Sequence, residues 1–179
     1  MIDSRHDCRS RPRSRRRARL AGSAALATLL GGCAALAPGG LPPGTPIAEA
    51  RQSLVGPTGE YALPNGGTRL EFAQGSFGKR TYMLDFDAAG RLVSTRQVLT
   101  ESNLSSVAPG TPEGEVRMRF GRPVWVYGVR YPVPSQVWSY RFDGGDCFWY
   151  QISIGDASRR VTESSLGPDP ACDGPGRRE

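Results

Sequence analysis

The chain has 179 residues and a net charge of +6, from 23 basic against 17 acidic side chains. Eight arginines sit in the first 19 residues, opposed only by Asp3 and Asp7; beyond residue 32 the chain holds 15 basic and 15 acidic residues and is formally neutral. A nucleic-acid role needs a basic face on the folded domain and is excluded on that balance. The single histidine, His6, lies in the same basic leader, so the rest of the chain has no histidine for a Ser-His-Asp or Cys-His mechanism or for an imidazole metal site.

Residues 1–32 read as a secretory signal: a basic n-region, an apolar run from Leu20 to Leu30, then small residues. The run is about half the ~20 residues a spanning helix needs. Leu30-Gly31-Gly32-Cys33 resembles the lipobox of bacterial lipoproteins, in which the cysteine thiol takes a fatty-acyl group (palmitate) and becomes the new N-terminus. Cys33 is thus the expected lipidation site and the anchor to a membrane. Ala34 stands where aspartate would resemble the inner-membrane retention signal of enteric bacteria, which implies the periplasmic face of the outer membrane.

Residues 33–43 are rich in Pro and Gly and read as a flexible tether. The body that follows contains an internal repeat. Gly44-Thr45-Pro46 with Glu49 and Arg51 recurs as Gly110-Thr111-Pro112 with Glu113, Glu115 and Arg117. Each copy predicts a short helix, with threonine as N-cap and proline at the first helical position. Gly56 and Gly121 are the expected C-caps, each with a proline nearby.

Three strands are predicted after each helix. In the first repeat, 44–104, they cover 68–73, 80–86 and 90–99, with Tyr82, Leu84 and Phe86 on one face and a turn at Asp87-Ala88-Ala89-Gly90. In the second, 105–173, they cover 136–142, 147–154 and 159–164. Trp138, Tyr140 and Phe142 share a face there, as do Phe148, Tyr150, Ile152 and Ile154, and Asp143-Gly144-Gly145-Asp146 turns the hairpin. The fold class expected is α+β: tandem helix–three-strand repeats with helices packed on an antiparallel sheet.

Of the four cysteines, Cys8 falls in the leader and Cys33 takes the lipid, which leaves Cys147 and Cys172 as a pair in an oxidising compartment. A disulfide there closes a loop of roughly 25 residues, worth about 3 kcal/mol on a chain-entropy argument. Two cysteines are too few for a structural zinc site, and no cofactor motif is present. Trp125, Tyr127, Arg130 and Tyr131 form a candidate partner surface, because Trp, Tyr and Arg dominate binding hot spots. Asp85 with Asp87, and Asp143 with Asp146, could serve paired-carboxylate hydrolysis; turn chemistry explains them without an enzyme. Residues 174–179 read as a disordered tail.

The run Gly110-Thr111-Pro112, Glu115-Val116, Phe120-Gly121-Arg122-Pro123 and Val137-Trp138-Ser139-Tyr140-Arg141-Phe142 resembles the SmpA/OmlA family, also called BamE, here as a tandem duplication. The resemblance implies an outer-membrane lipoprotein with a fold like that of the β-lactamase inhibitor protein, and implies outer-membrane protein assembly components as partners. The function expected is a non-catalytic interaction or scaffold module in barrel assembly or envelope integrity. The alternative is a periplasmic ligand-binding or enzyme-inhibitor module. Cys33→Ser should abolish metabolic lipid labelling of the protein; labelling that persists would refute the lipobox.

Overall fold

The computed structural model describes residues 38–52 and 56–172. Residues 1–37, which include the leader and Cys33, and residues 53–55 and 173–179 lie outside them. Among the described residues eight strands form two separate antiparallel sheets. The first contains β1 (Gly59–Ala62), β2 (Thr68–Ala73), β3 (Thr81–Phe86) and β4 (Leu92–Gln97) in chain order. The second contains β5 (Trp125–Val129), β6 (Ser135–Tyr140), β7 (Phe148–Gly155) and β8 (Val161–Pro168), again in chain order. The described residues also include three short α-helices, α1 (Ile47–Arg51), α2 (Glu101–Ser105) and α3 (Glu113–Phe120).

This corrects the expected α+β arrangement of tandem helix–three-strand repeats, and with it the β-lactamase-inhibitor-like fold. Among the described residues the protein is mostly β, with 42% strand and 18% helix. Two of the helices have five residues each. Elements under two turns gain little from their own hydrogen bonds and cannot form a layer over a sheet. Each sheet also has a fourth strand at its leading edge. Gly59-Glu60-Tyr61-Ala62 is short and carries no run of β-branched residues, and residues 125–129, assigned to no strand from the sequence, form β5.

The Gly-Thr-Pro segments adopt matching geometry, although their caps differ from expectation. Pro46 and Pro112 themselves occupy the N-cap positions, with no side-chain cap bond. The threonine hydroxyls point backwards instead: Thr45 donates to the Pro42 carbonyl and Thr111 to the Ala108 carbonyl, both at 2.7 Å. Gly44 and Gly110 lie at φ 84° and 89°. Their N–H groups donate to the carbonyls of Leu92 and Val161, which stitches each segment onto the last strand of its own sheet. Gly121 caps α3 at φ 77°, as expected, whereas α1 already ends at Gln52.

The first sheet has two dissimilar faces. Leu70, Phe72, Tyr82, Leu84 and Phe86 alternate onto one, where Leu41, Ile47, Ala50 and Leu92 pack on them. Leu41, assigned to the tether by its sequence, is therefore buried. The opposite face carries Tyr61, Arg69, Glu71, Met83 and Asp85. This polar face meets α3. Arg69 donates to the Met118 carbonyl at 2.8 Å, so it satisfies a carbonyl that the last helical turn leaves open. Arg69 is held there by Asp85, at 2.5 and 2.8 Å. Glu71 is 0% exposed. Its carboxylate accepts from Tyr61 Oη at 2.5 Å, Thr58 Oγ1 at 2.9 Å and the Arg122 N–H at 3.3 Å.

The larger core lies between this seam and the second sheet. Val116 and Phe120 of α3 join Leu104 and Val107, the inward residues Trp138, Tyr140, Ile152 and Ile154, and Met83 from the first sheet. Tyr140 Oη donates to the Gly121 carbonyl at 3.1 Å. Gly121 is therefore held from both sides, by Tyr140 from the second sheet and through its neighbour Arg122 by Glu71 from the first. A Cβ on Gly121 would lie 2.5 Å from the Glu71 carboxyl carbon. Gly121→Ala should cost about 2 kcal/mol or more, from left-handed backbone strain plus the clash. A lowered midpoint in chemical denaturation would record it.

Candidate binding groove

The two sheets differ in how their faces are covered. Both faces of the first are packed, whereas the face of the second that points away from the core is open. Alternation places Trp125, Tyr127 and Val129 of β5 on that face, with Val137 and Ser139 of β6 and Trp149, Gln151 and Ser153 of β7. Trp125 is 60% exposed, on an edge strand that pairs only with β6. A concavity of about 660 Å³ runs along this face, between Trp125 and Tyr127 on one side and Trp149 and Pro168 on the other.

One end of the groove is built by two segments brought in from elsewhere. The loop between β2 and β3 contributes Phe77, which is 79% exposed although large and apolar. The C-terminal segment contributes Pro170 and Ala171. Arg141 joins them. It forms a two-pronged ion pair with Asp169, at 2.5 and 2.9 Å, and also donates to the Ser76 carbonyl. Its guanidinium lies 5.0 Å from the Phe77 ring and 5.1 Å from the Trp149 ring. A planar cation between two aromatic faces is stabilised by both rings and fixes their spacing. Lys79–Asp146 and Arg80–Asp143 ion pairs, at 2.5 and 3.0 Å, tie the same loop to the β6–β7 turn.

The Cys147–Cys172 disulfide is present, with Cα atoms 5.4 Å apart. It secures the segment that carries Asp169, and the Asp169 N–H donates to the Cys147 carbonyl at 2.9 Å. The groove floor is polar in part. Gln151 Nε2 donates to Tyr127 Oη and to Ser139 Oγ, both at 3.3 Å. Trp149 Nε1 is buried without a partner among the described residues.

Of the four residues expected at a partner surface, Trp125 and Tyr127 line the groove. Arg130 and Tyr131 follow in the β5–β6 turn beyond its edge; both are exposed, Tyr131 at 86%. Sequence reasoning missed Phe77, Arg141 and Trp149. A phenylalanine inside Gly75-Ser76-Phe77-Gly78 is the one signal that pointed to Phe77, since a turn rarely needs a large apolar side chain. The carboxylates considered for hydrolysis are engaged otherwise. Asp85 pairs with Arg69 and Arg96, Asp87 caps its own turn, and Asp143 and Asp146 hold Arg80 and Lys79. Among the described residues no group of His, Cys, Asp and Glu could hold a metal ion, and no helix is long and apolar enough to cross a membrane.

No protein-family model matches the chain. No curated protein matches it either. Among solved structures, a cysteine-rich secretory protein from Staphylococcus aureus aligns at 11% identity with a TM-score of 0.27, over 72% of this chain and 45% of its own. The chain thus spans less than half that protein's length, and a likeness this weak carries no argument.

Two carboxylates that hold the seam and the groove titrate low. The Arg141 hydrogen bond holds Asp169 below the ordinary 3.8, against a smaller opposing push from burial, with help from the Ala171 N–H. At Asp85 burial pushes upward, but the bonds and charges of Arg69 and Arg96 together outweigh it, so the group also lies below 3.8. A carboxylate depressed by folding contributes stability above its unfolded value and loses it as pH falls through the folded one. Thermal midpoints should therefore fall as pH drops below about 4. Asp169→Asn should flatten part of that slope; an unchanged slope would contradict the role given to Asp169.

Proposed function

We propose that this protein is a lipid-anchored envelope lipoprotein that acts as a non-catalytic binding module and takes up a protein partner in the open groove of its second sheet. The observation that carries this reading is the uncovered aromatic face. A small domain normally uses its large aromatics in its core. Here Trp125, Tyr127 and Phe77 stay in solvent around a concavity of about 660 Å³, within the size range of ligand pockets. Trp and Tyr give large contact area at low entropic cost, which suits them as anchors. The rigid surround of Arg141, Asp169 and the disulfide lowers the cost of ordering on binding.

The lipobox at Cys33 supports attachment to the outer membrane on its periplasmic face. The resemblance to SmpA/OmlA makes outer-membrane protein assembly components the first partners to examine. A periplasmic enzyme held or inhibited by the groove is the other reading, and the concave aromatic face favours a binding role of that kind.

A photo-crosslinking side chain placed at Trp125 or Tyr127 should capture one and the same partner in intact cells. The same group at Val93, exposed on the first sheet, should not. Barrel-assembly components captured at both groove positions support the scaffold role, and a soluble periplasmic enzyme supports the inhibitor role. Equal capture from Val93, or none from either groove position, overturns the groove as the binding site.

A further inference from the structure

A second cavity, of about 600 Å³, lies where α2 and α3 meet the edge of the first sheet. It shares no lining residue with the aromatic groove. Arg69 from β2, Arg96 from β4 and Arg119 from α3 all line it, and Val98 and Phe120 give it apolar wall. Three guanidiniums in one cavity repel one another unless anions face them. Asp85 faces two of them. Asp85 accepts from Arg69 on both oxygens and from Arg96 at 2.9 Å. Arg119 has only a looser carboxylate, Glu115 at 3.7 Å on the exposed side of α3. Three positive charges therefore meet two carboxylates, Asp85 closely and Glu115 at longer range, which leaves one in excess.

The donors are also in excess. A guanidinium presents a planar fork of N–H groups. Arg69 spends three N–H groups, one each on Nε, Nη1 and Nη2, on Asp85 and the Met118 carbonyl. Among the described residues Arg96 uses a single N–H, on Asp85. Arg119, among the same residues, uses a single N–H within hydrogen-bond reach, on Ser106 Oγ at 2.5 Å. Asp85 orients one fork from behind, and the Phe120 ring lies 5.0 Å from the Arg119 guanidinium. Both forks are held in place with donors left over.

We propose that this cavity binds a phosphoester. An excess positive charge favours the anionic phosphoryl group, and paired arginine forks match its oxygens. The volume exceeds what a bare phosphate fills and falls within the range of pockets for small organic ligands, while Val98 and Phe120 offer apolar contact for the ester's organic part. The phosphoryl group can come from a phospholipid headgroup or from a soluble phosphoester, and the chemistry recognised is the same.

Calorimetric titration of the full chain distinguishes these sources. The probes are glycerol 3-phosphate and a short-chain phosphatidylglycerol kept below its micellar concentration, with glycerol as the neutral control. Saturable binding of glycerol 3-phosphate supports the site with a soluble source. Binding of the phosphatidylglycerol alone supports it with a lipid source. Arg96→Gln and Arg119→Gln should each weaken the observed binding by about tenfold or more, the loss expected for a charge-assisted hydrogen bond. Arg119→Lys should recover part of it, since the charge stays and the fork is lost. Arg51→Gln removes an exposed arginine outside the cavity, paired with Glu60, and should bind as the unaltered chain does. Thermal unfolding of each variant verifies that it is folded; if Arg96→Gln unfolds, Arg119→Gln carries the test alone. No binding of either phosphoester, binding that survives Arg119→Gln, or equal weakening by Arg51→Gln overturns the proposal.

Discussion

A buried carboxylate, Glu71, sits where the two sheets meet, and the rest of the architecture depends on how it is satisfied. A charge taken from water without partners costs several kcal/mol. Glu71 faces the hydroxyls of Thr58 and Tyr61 within its own half and the Arg122 N–H at the end of α3. The last of these lies across the seam. If the halves separate, the carboxylate loses that partner, and Arg69 loses the Met118 carbonyl. Burial, together with the bond to Glu71 and its charge, raises the pKa of Tyr61, so the phenol stays protonated and donates at any physiological pH. Gly121 makes the close approach attainable, because no side chain keeps α3 away from Glu71.

From that seam follows the asymmetry of the molecule. The first sheet is covered on one side by the segment leading into it and on the other by α3. The second sheet packs on Leu104, Val116 and Phe120 on one side alone. Its free face keeps Trp125 and Tyr127 in water, and the β2–β3 loop and the C-terminal segment come together at one end of it around Arg141. The groove is thus assembled from distant parts of the chain. Ion pairs from the first sheet's loop reach the second sheet's turn, so the seam and the groove are mechanically linked. Anchoring at Cys33, as proposed, would present such a preformed surface from the membrane to partners in the periplasm.

Much of the strand content was legible in the sequence. The alternation of Tyr82, Leu84 and Phe86, and of Trp138, Tyr140 and Phe142, placed these residues on inner faces, where they are found. The turn signals at Asp87–Gly90 and Asp143–Asp146 marked the hairpins. Period-2 patterning is a local signal and survives without tertiary knowledge. The fourth strand of each sheet was not legible. Gly59-Glu60-Tyr61-Ala62 is an edge strand fixed by pairing with β2, and at Trp125–Val129 an exposed strand and an aromatic loop have the same composition. Phe148 belongs by parity with Tyr150 and Ile152, yet it lies at the rim beyond the core and is half-exposed. The weight given to the helices misled the fold assignment. Gly-Thr-Pro marks where a helix starts but says nothing of its length, and the strands outweigh the short turns it initiates. At the groove, Trp125 and Tyr127 could be named from composition. Arg141 and Trp149 could not, because their importance comes from partners at positions 76, 77 and 169.

The central claim is that the Glu71 seam joins two separate sheets into one cooperative body. Native-state hydrogen exchange under increasing denaturant reads this directly, by comparing the opening free energy of core amides in the first sheet, at Leu70 and Leu84, with that in the second, at Ile152 and Ile154. The account predicts that all four merge into one global unfolding isotherm, and that Glu71→Ala lowers it for both sheets together. Two separate isotherms in the unaltered protein, with the first sheet opening while the second stays protected, would contradict it.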